Sequence, residues 1–378
     1  MNVHHVVRLG IAATAALLCS QVAAQQALTG TGSTFAAKLY ERWGADFKST
    51  GGVEIQYTGT GSGTGIKAAT QKKVDFGGTD KALSYRELAE AGLKQFPIAL
   101  GGVAPIVNLQ GIGPGQLKLT GAVVAKIYLG EIKRWNDPAI AALNPELKLP
   151  ALEIVVAHRS DSSGTTSIFN EYLSQASEKW KEKNGAESHM SVPSGRSVEG
   201  NKGIVQLVRS TAGAIGYADF SSIRAEGAVP VQLGNAFGHF IVLSEQSIQN
   251  AALRSAWDYN DLDTDFKRSL INVASNEAWP IVAPTFMLIQ KSVESQDTGK
   301  RIYEFVAHSF KNGDDGAKQL GYVPLPPRLK DYVLLVFRTQ IVDAKGNSFL
   351  RRKAAVLGEL IARLDRGRDV AGRTVPAL

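Results

Sequence analysis

The chain has 378 residues, with 42 Lys and Arg against 35 Asp and Glu and a formal net charge of +7. Apolar content of 44% and charged content of 20% exclude disorder, collagen and coiled coil as whole-chain classes, and the length suggests two domains, since single cores stop growing near ~250–300 residues. One Cys excludes a disulfide scaffold or a multi-Cys zinc site within the chain.

Residues 1–24, MNVHHVVRLGIAATAALLCSQVAA, read as a secretory leader. Arg8 precedes an apolar run from Leu9 to Cys19. Val22-Ala23-Ala24 then puts small residues where a signal peptidase cuts, so cleavage is expected after Ala24. The run is shorter than the ~20 apolar residues of a membrane-spanning helix. Leu18 before Cys19 argues against lipid attachment, which requires a small residue there. The exported chain then has no Cys and must rely on its core rather than on disulfides.

Beyond the leader, short β-rich runs alternate with helical patterns. Phe35, Leu39, Trp43 and Phe47 recur four apart and predict a helix over Phe35–Phe47; Val53–Tyr57 alternates as a strand does. Ala99–Val107 and Ile154–Ala157 read as buried strands, Ser167–Leu173 and Gly203–Val208 as helix, and Ala214–Tyr217 and Ile281–Ile289 as strands again. This alternation predicts an α/β architecture with largely parallel sheets, whose ligands sit beyond the carboxyl ends of strands where loops enter helices.

Three polar, Gly-containing turns precede helix-like segments: Gly30–Phe35 (GTGSTF), Gly59–Gly65 (GTGSGTG) and Arg159–Thr166 (RSDSSGTT). A helix start presents unpaired backbone N–H groups and a positive dipole end, and glycine lets an anion approach that backbone closely. Three such turns suggest one tetrahedral oxyanion held by several helix N-termini. For any single turn the alternative is ordinary N-capping by Ser or Thr.

Other motifs are excluded. Neither Gly30-x-Gly32 nor Gly59-x-Gly61 is followed by the last Gly of a dinucleotide fingerprint, and no G-x-x-x-x-G-K-[ST] occurs. Ser62 does not lie in a G-x-S-x-G elbow. The six His show no metal-binding helix spacing, and His158 reads as structural. Two charged residues stand out. Arg159 can clamp an oxyanion with charge-assisted bonds. Asp80, ending the run VDFGGTD, makes sense beside an anion that keeps a proton, because a carboxylate can accept it. Fully ionised sulfate has none to offer. Helix capping or a surface ion pair is the alternative for Asp80.

In combination these segments resemble the periplasmic phosphate-binding proteins of high-affinity phosphate ABC importers. The matching stretches are LTGTGSTFAAKLYERW, YTGTGSGTGIKAA, VDFGGTDKALS, GGVAPIVN, IYLGEIKRWNDPAIAALNP, RSDSSGTTSIF, GAIGYADF and AWPIVAPTFMLI, so that similarity runs from about Leu28 to about Leu350. Ala36, Ser162 and His158 depart from the family's usual residues without removing an expected ligand group. The resemblance implies phosphate bound by the Thr34 hydroxyl, the Phe35 backbone N–H, Ser62, and the helix start at Ser163, Gly164 and Thr165. Asp80 would accept the ligand's proton, and Arg159 would donate, held in place by Asp161. The implied fold is a two-lobed periplasmic binding protein of type II-like α/β lobes, with the ligand in the cleft and hinge strands crossing near Gly101 and Trp279. One lobe would comprise residues 25–101 and 279–350, the other 102–278. The implied protein is a periplasmic monomer that delivers phosphate to membrane permease subunits, with no catalytic activity, cofactor, metal or nucleic-acid partner. Residue types alone leave two other classes open: a binder of another oxyanion or secreted phosphate scavenger, and a phosphatase-like enzyme built from Ser, Arg and Asp.

Residues 351–378 lie beyond the resemblance. Val356, Leu357, Leu360, Ile361 and Leu364 would share one helical face, surrounded by Arg351, Arg352, Lys353, Arg363 and Arg366, with Gly367 as a stop. A short docked or frayed helix and a membrane-surface helix are both readings of this pattern. The tail holds seven basic and three acidic residues and the leader holds Arg8, so residues 25–350 carry a net charge of only +2. An anion binder need not be strongly basic if helix starts and hydroxyls do the binding.

Overall fold

A computed structural model of the chain describes residues 26–254, 257–259 and 261–348. The leader with its Ala24 cleavage site, and the amphipathic pattern of residues 351–378, lie outside the described residues.

The elements that position the site are β1 (Leu28–Gly32), α1 (Ala37–Ser49), β2 (Ile55–Gly59), α2 (Ser62–Thr70), β3 (Phe76–Thr79), β4 (Leu93–Val107), β5 (Val155–Arg159), α3 (Gly164–Ala176), β6 (Arg196–Val198), α4 (Gly200–Ser210), β7 (Ala214–Asp219) and β8 (Val282–Gln290). The sheet order is β2-β1-β3-β8-β4-β7-β5-β6. Both flanks are parallel, β1 with β2 and β3, and β5 with β6 and β7. The centre departs from the parallel expectation. β8 runs antiparallel to β3 and to β4, and β4 runs antiparallel to β7.

β4 explains this arrangement. It is 15 residues long and buried throughout. Leu93–Gly102 pairs with β8, whereas Val103–Val107 pairs with β7, so one strand belongs to both halves of the sheet. Beside the changeover, the Val103 N–H donates to the Ile281 carbonyl at 2.9 Å, and Trp279, fully buried, donates from Nε1 to the Val103 carbonyl at 2.8 Å. The fold is the two-lobed α/β binding-protein arrangement.

Packing fixes the helices on their strands. α1 buries Leu39, Trp43 and Phe47, as expected from their spacing, together with Tyr40, but begins at Ala37 rather than Phe35. Phe35 belongs to the turn, where its ring meets Tyr322 edge-on at 5.9 Å. Tyr40 stacks on Tyr57 at 4.3 Å and lies 5.2 Å from Phe76, which binds α1 to β2 and β3. Burying a large aromatic side chain is worth roughly 1.5–3 kcal/mol, so this cluster holds the strand ends behind the first two turns. The strand expected at Val53–Tyr57 is shifted by two residues, to Ile55–Gly59.

Candidate anion-binding site

The carboxyl ends of β1, β2, β3 and β5 open into the loops that carry the predicted site residues. The three turns differ in how they end. The N-cap residues of α1 and α2 are Ala36 and Gly61, and neither makes a side-chain cap hydrogen bond. In the first turn a hydroxyl still meets a backbone N–H just before the helix, Ser33 Oγ accepting from the Ala36 N–H at 3.1 Å. In the third, Ser163 does cap α3, accepting from the Thr166 N–H at 3.1 Å.

The turns converge. Gly63 N–H donates to the Ser162 carbonyl at 3.0 Å, tying the second turn to the third. A Cβ on Gly164 would lie 2.5 Å from Ser62 Oγ and 2.8 Å from both Asp80 Cβ and Asp80 N. Only glycine permits that approach, and it places the start of α3 against Ser62 and Asp80. The first turn reaches the same carboxylate through Ser33, whose Oγ donates to both Asp80 oxygens at 2.6 and 2.7 Å. Thr34 beside it has a buried Oγ1 with no hydrogen-bond partner. A buried polar atom without a partner costs free energy, and such atoms cluster where a ligand completes the bonding.

Asp80 and Arg159 bring opposite charges to this place. Asp80 is 4% exposed, and its carboxyl is raised from 3.8 to about 6. Burial is the largest cause. Bonds from Ser33 and Thr285 oppose it, the Asp219 carboxylate adds to it, and Arg159 opposes it. The Arg159 side chain is buried, its Nε donating to Asp161 Oδ1 at 2.6 Å, its Nη2 to Asp161 Oδ2, and its Nη1 to Asn201 Oδ1 at 2.9 Å. A guanidinium has five N–H groups, so the second hydrogen on each of Nη1 and Nη2 is left to donate elsewhere. Burial pushes the Asp161 carboxyl up, but bonds from Arg159 and from the Gly200 N–H outweigh it, and the group lies below its usual range. Asp161 thus stays ionised and fixes the plane of the guanidinium.

Asn201 and Tyr217 extend the framework, and sequence reasoning missed both. Asn201 Nδ2 donates to Thr165 Oγ1 at 3.1 Å, joining the start of α4 to the start of α3. Tyr217 Oη accepts from the Arg159 backbone N–H at 3.3 Å and lies 2.7 Å from Thr166 Oγ1. His158 Nδ1 lies 3.2 Å from the Arg159 carbonyl. Ser162 Oγ pairs with Ser188 Oγ at 2.8 Å, so the serine at that position adds a tether to the turn. A cleft lined by Lys81, Ser167, Glu171, Lys267 and Arg268 runs up to Asp80. Among the described residues no group of three or more His, Cys, Asp or Glu is placed to hold a metal ion. No helix among them is long and apolar enough to cross a membrane.

Comparison with known proteins places this geometry. The family description "PBP superfamily domain" matches residues 20–307. The phosphate-binding protein PstS of Xylella fastidiosa (strain 9a5c) is 40% identical over 302 residues, covering 80% of this chain and 82% of that protein. The chain belongs to the PstS phosphate-binding protein family. The PstS of Pasteurella multocida is 35% identical over 323 residues, covering 85% of this chain and 93% of that protein. Among solved structures, the phosphate-binding protein from Stenotrophomonas maltophilia superposes with a TM-score of 0.64 at 20% identity, covering 85% of this chain and 97% of that one, which bears on the fold alone.

The three turns quoted from the sequence are the ones whose helix starts converge, and Asp80 and Arg159 are the charged groups among them. What sequence reasoning missed is Ser33, Thr285, Asn201 and Tyr217. Ser33 lies inside a turn already singled out. Thr285 is a lone hydroxyl in the buried run VAPTFMLI, a signal that could have found it.

Proposed function

We propose that the chain binds inorganic phosphate in the periplasm, after removal of its leader, and delivers it as a monomer to the permease subunits of an ABC-type importer. Thr34, Phe35 N–H, Ser62, Arg159, Ser163, Gly164 and Thr165 donate to the ligand, Asp161 orients Arg159, and Asp80 accepts the ligand's proton. The cleft lies between a lobe of residues 25–101 and 279–350 and a lobe of residues 102–278, with crossings near Gly101 and Trp279. The observation that carries this reading is the convergence of three helix starts on one ionisable carboxylate and one incompletely used guanidinium. Relatives named phosphate-binding proteins at 35–40% identity support it.

The upper part of the gross range suffices. Hydrogen bonds to charged groups contribute roughly 1.5–3 kcal/mol each, so six give roughly 9–18 kcal/mol gross. Lost ligand freedom and closure cost about 4 kcal/mol or more. A micromolar site requires about 8 kcal/mol net. No step of bond making is assigned, and the hydroxyls act as donors rather than nucleophiles.

Calorimetric titration of the exported protein tests the proposal. It predicts phosphate binding at micromolar concentration or tighter, with strong preference over sulfate, and no turnover of an aryl phosphate. Equal affinity for both anions, or turnover above background, contradicts it.

A further inference from the structure

We propose that Ser33 and Thr285 are positioning residues that set which oxyanions the site accepts, by holding the Asp80 carboxylate as a hydrogen-bond acceptor turned toward the ligand. This rests on the reading of the site as a phosphate site and goes beyond the groups that touch the ligand.

The geometry comes from two elements far apart in sequence. Ser33 donates to both Asp80 oxygens at 2.6 and 2.7 Å. Its hydroxyl oxygen also accepts from the Ala36 N–H at 3.1 Å, which leaves its one proton for Asp80. Thr285 Oγ1 donates to Asp80 Oδ1 at 2.7 Å from β8. The register of β8 against β4 shifts between Thr285 and Phe286. Such an irregularity re-aims a side chain, and here the hydroxyl in an apolar strand reaches the carboxylate. Both residues are fully buried, so neither bond competes with solvent. Ser62 Oγ stands at 3.5 Å from Asp80 Oδ2, long for a third bond.

The other groups facing Asp80 do not balance, because burial outweighs the rest. Arg159 favours its ionised form, whereas burial and the Asp219 carboxylate favour its neutral form. Tyr40, Tyr57 and Tyr322 feel its charge, and all three phenols are raised, by burial first, so they remain neutral. The two hydroxyl donors are the main groups pulling the carboxylate back toward ionisation against that burial, because hydrogen bonds to the charged form favour it.

An ionised Asp80 can only accept. A phosphate with a proton satisfies it, whereas sulfate sets bare oxygen against bare oxygen. Without the donors, Asp80 takes up a proton nearer neutrality and becomes a donor. Sulfate is then accepted. Phosphate is less affected, because its dianion with a protonated Asp80 carries the same number of protons as its monoanion with an ionised one.

The test uses the full exported chain, titrated calorimetrically with phosphate and with sulfate from pH 5.5 to pH 8.5. Wild type is compared with Ser33→Ala, Thr285→Val, the double variant and Thr285→Ser. The phosphate-to-sulfate affinity ratio should fall by roughly tenfold or more in the double variant. The pH below which sulfate binds should move upward, and Thr285→Ser, which keeps the hydroxyl, should keep the ratio. If both affinities fall by the same factor, the hydroxyls only support the scaffold and the proposal is wrong; continued sulfate rejection in the double variant overturns it equally. Melting temperatures check folding, and if Ser33→Ala does not fold, the contrast between Thr285→Val and Thr285→Ser decides. A wild-type protein that binds no phosphate fails the functional reading itself, and this proposal with it.

Discussion

Replacing Asp80 by Asn separates what the carboxylate costs the empty protein from what it gives the ligand. Asp80 is 4% exposed and its carboxyl is raised from 3.8 to about 6, burial being the first cause. In the unfolded chain the group ionises near its ordinary value. Between about pH 4 and pH 6 the folded state therefore holds a proton that the unfolded state has released. The unfolded state binds fewer protons in that window, so the stability of the ligand-free protein falls as pH rises through it. A carboxyl raised from 3.8 to about 6 corresponds to on the order of 3 kcal/mol, lost progressively as pH rises through about 6. Asn cannot ionise and escapes the loss. Ligand-free Asp80→Asn should exceed wild type by up to about 3 kcal/mol at pH 8 and show no such advantage at pH 4. Urea unfolding in phosphate-free buffer at the two pH values reads this directly. A variant no more stable than wild type at pH 8 refutes the reasoning. The same variant should lose discrimination against sulfate more than it loses phosphate affinity, because it no longer presents an obligate acceptor.

Other expectations follow from the same contacts. Gly164→Ala puts a methyl 2.5 Å from Ser62 Oγ and 2.8 Å from Asp80, and overpacking of about 1–3 kcal/mol should weaken phosphate binding by roughly five- to a hundredfold in calorimetry. Arg159→Lys loses the forked pairing with Asp161 and the bond to Asn201. It should weaken binding by roughly tenfold or more, a loss that added salt does not restore. Asp219, the other buried carboxyl raised to about 6, should behave as Asp80 does: Asp219→Asn should stabilise the ligand-free protein at pH 8 and not at pH 4 in the same unfolding assay.

The parts of the site built from short segments were legible in the sequence. Glycines and hydroxyls before a periodic apolar run mark a helix start, so GTGSTF, GTGSGTG and RSDSSGTT could be found without coordinates. Their roles were harder to read, because a cap and a ligand group use the same residue types. The structure shows that the two uses overlap: Ser163 caps α3 by accepting a backbone N–H and keeps its own proton to donate, whereas the N-cap residues of α1 and α2 make no side-chain bond. The full length of β4 was not legible, since Lys94, Gln95 and Pro97 look unlike a buried strand. Tertiary partners remove the conflict: Lys94 pairs with Asp263 at 2.5 Å, and Gln95 Nε2 donates to the Leu83 carbonyl at 2.8 Å. The antiparallel centre followed from that length, because a strand shared by two half-sheets needs partners that return alongside it. Asn201 and Thr285 lie far from the turns in sequence, and only folding places them at Arg159 and Asp80.

A crystal structure of the exported protein with phosphate tests the central claim most directly. The account predicts one tetrahedral anion within hydrogen-bond reach of Thr34 Oγ1, Phe35 N, Ser62 Oγ, Arg159 and the start of α3, with one oxygen against Asp80. Phosphate bound elsewhere, or an anion that leaves Asp80 and Thr34 Oγ1 untouched, would contradict it.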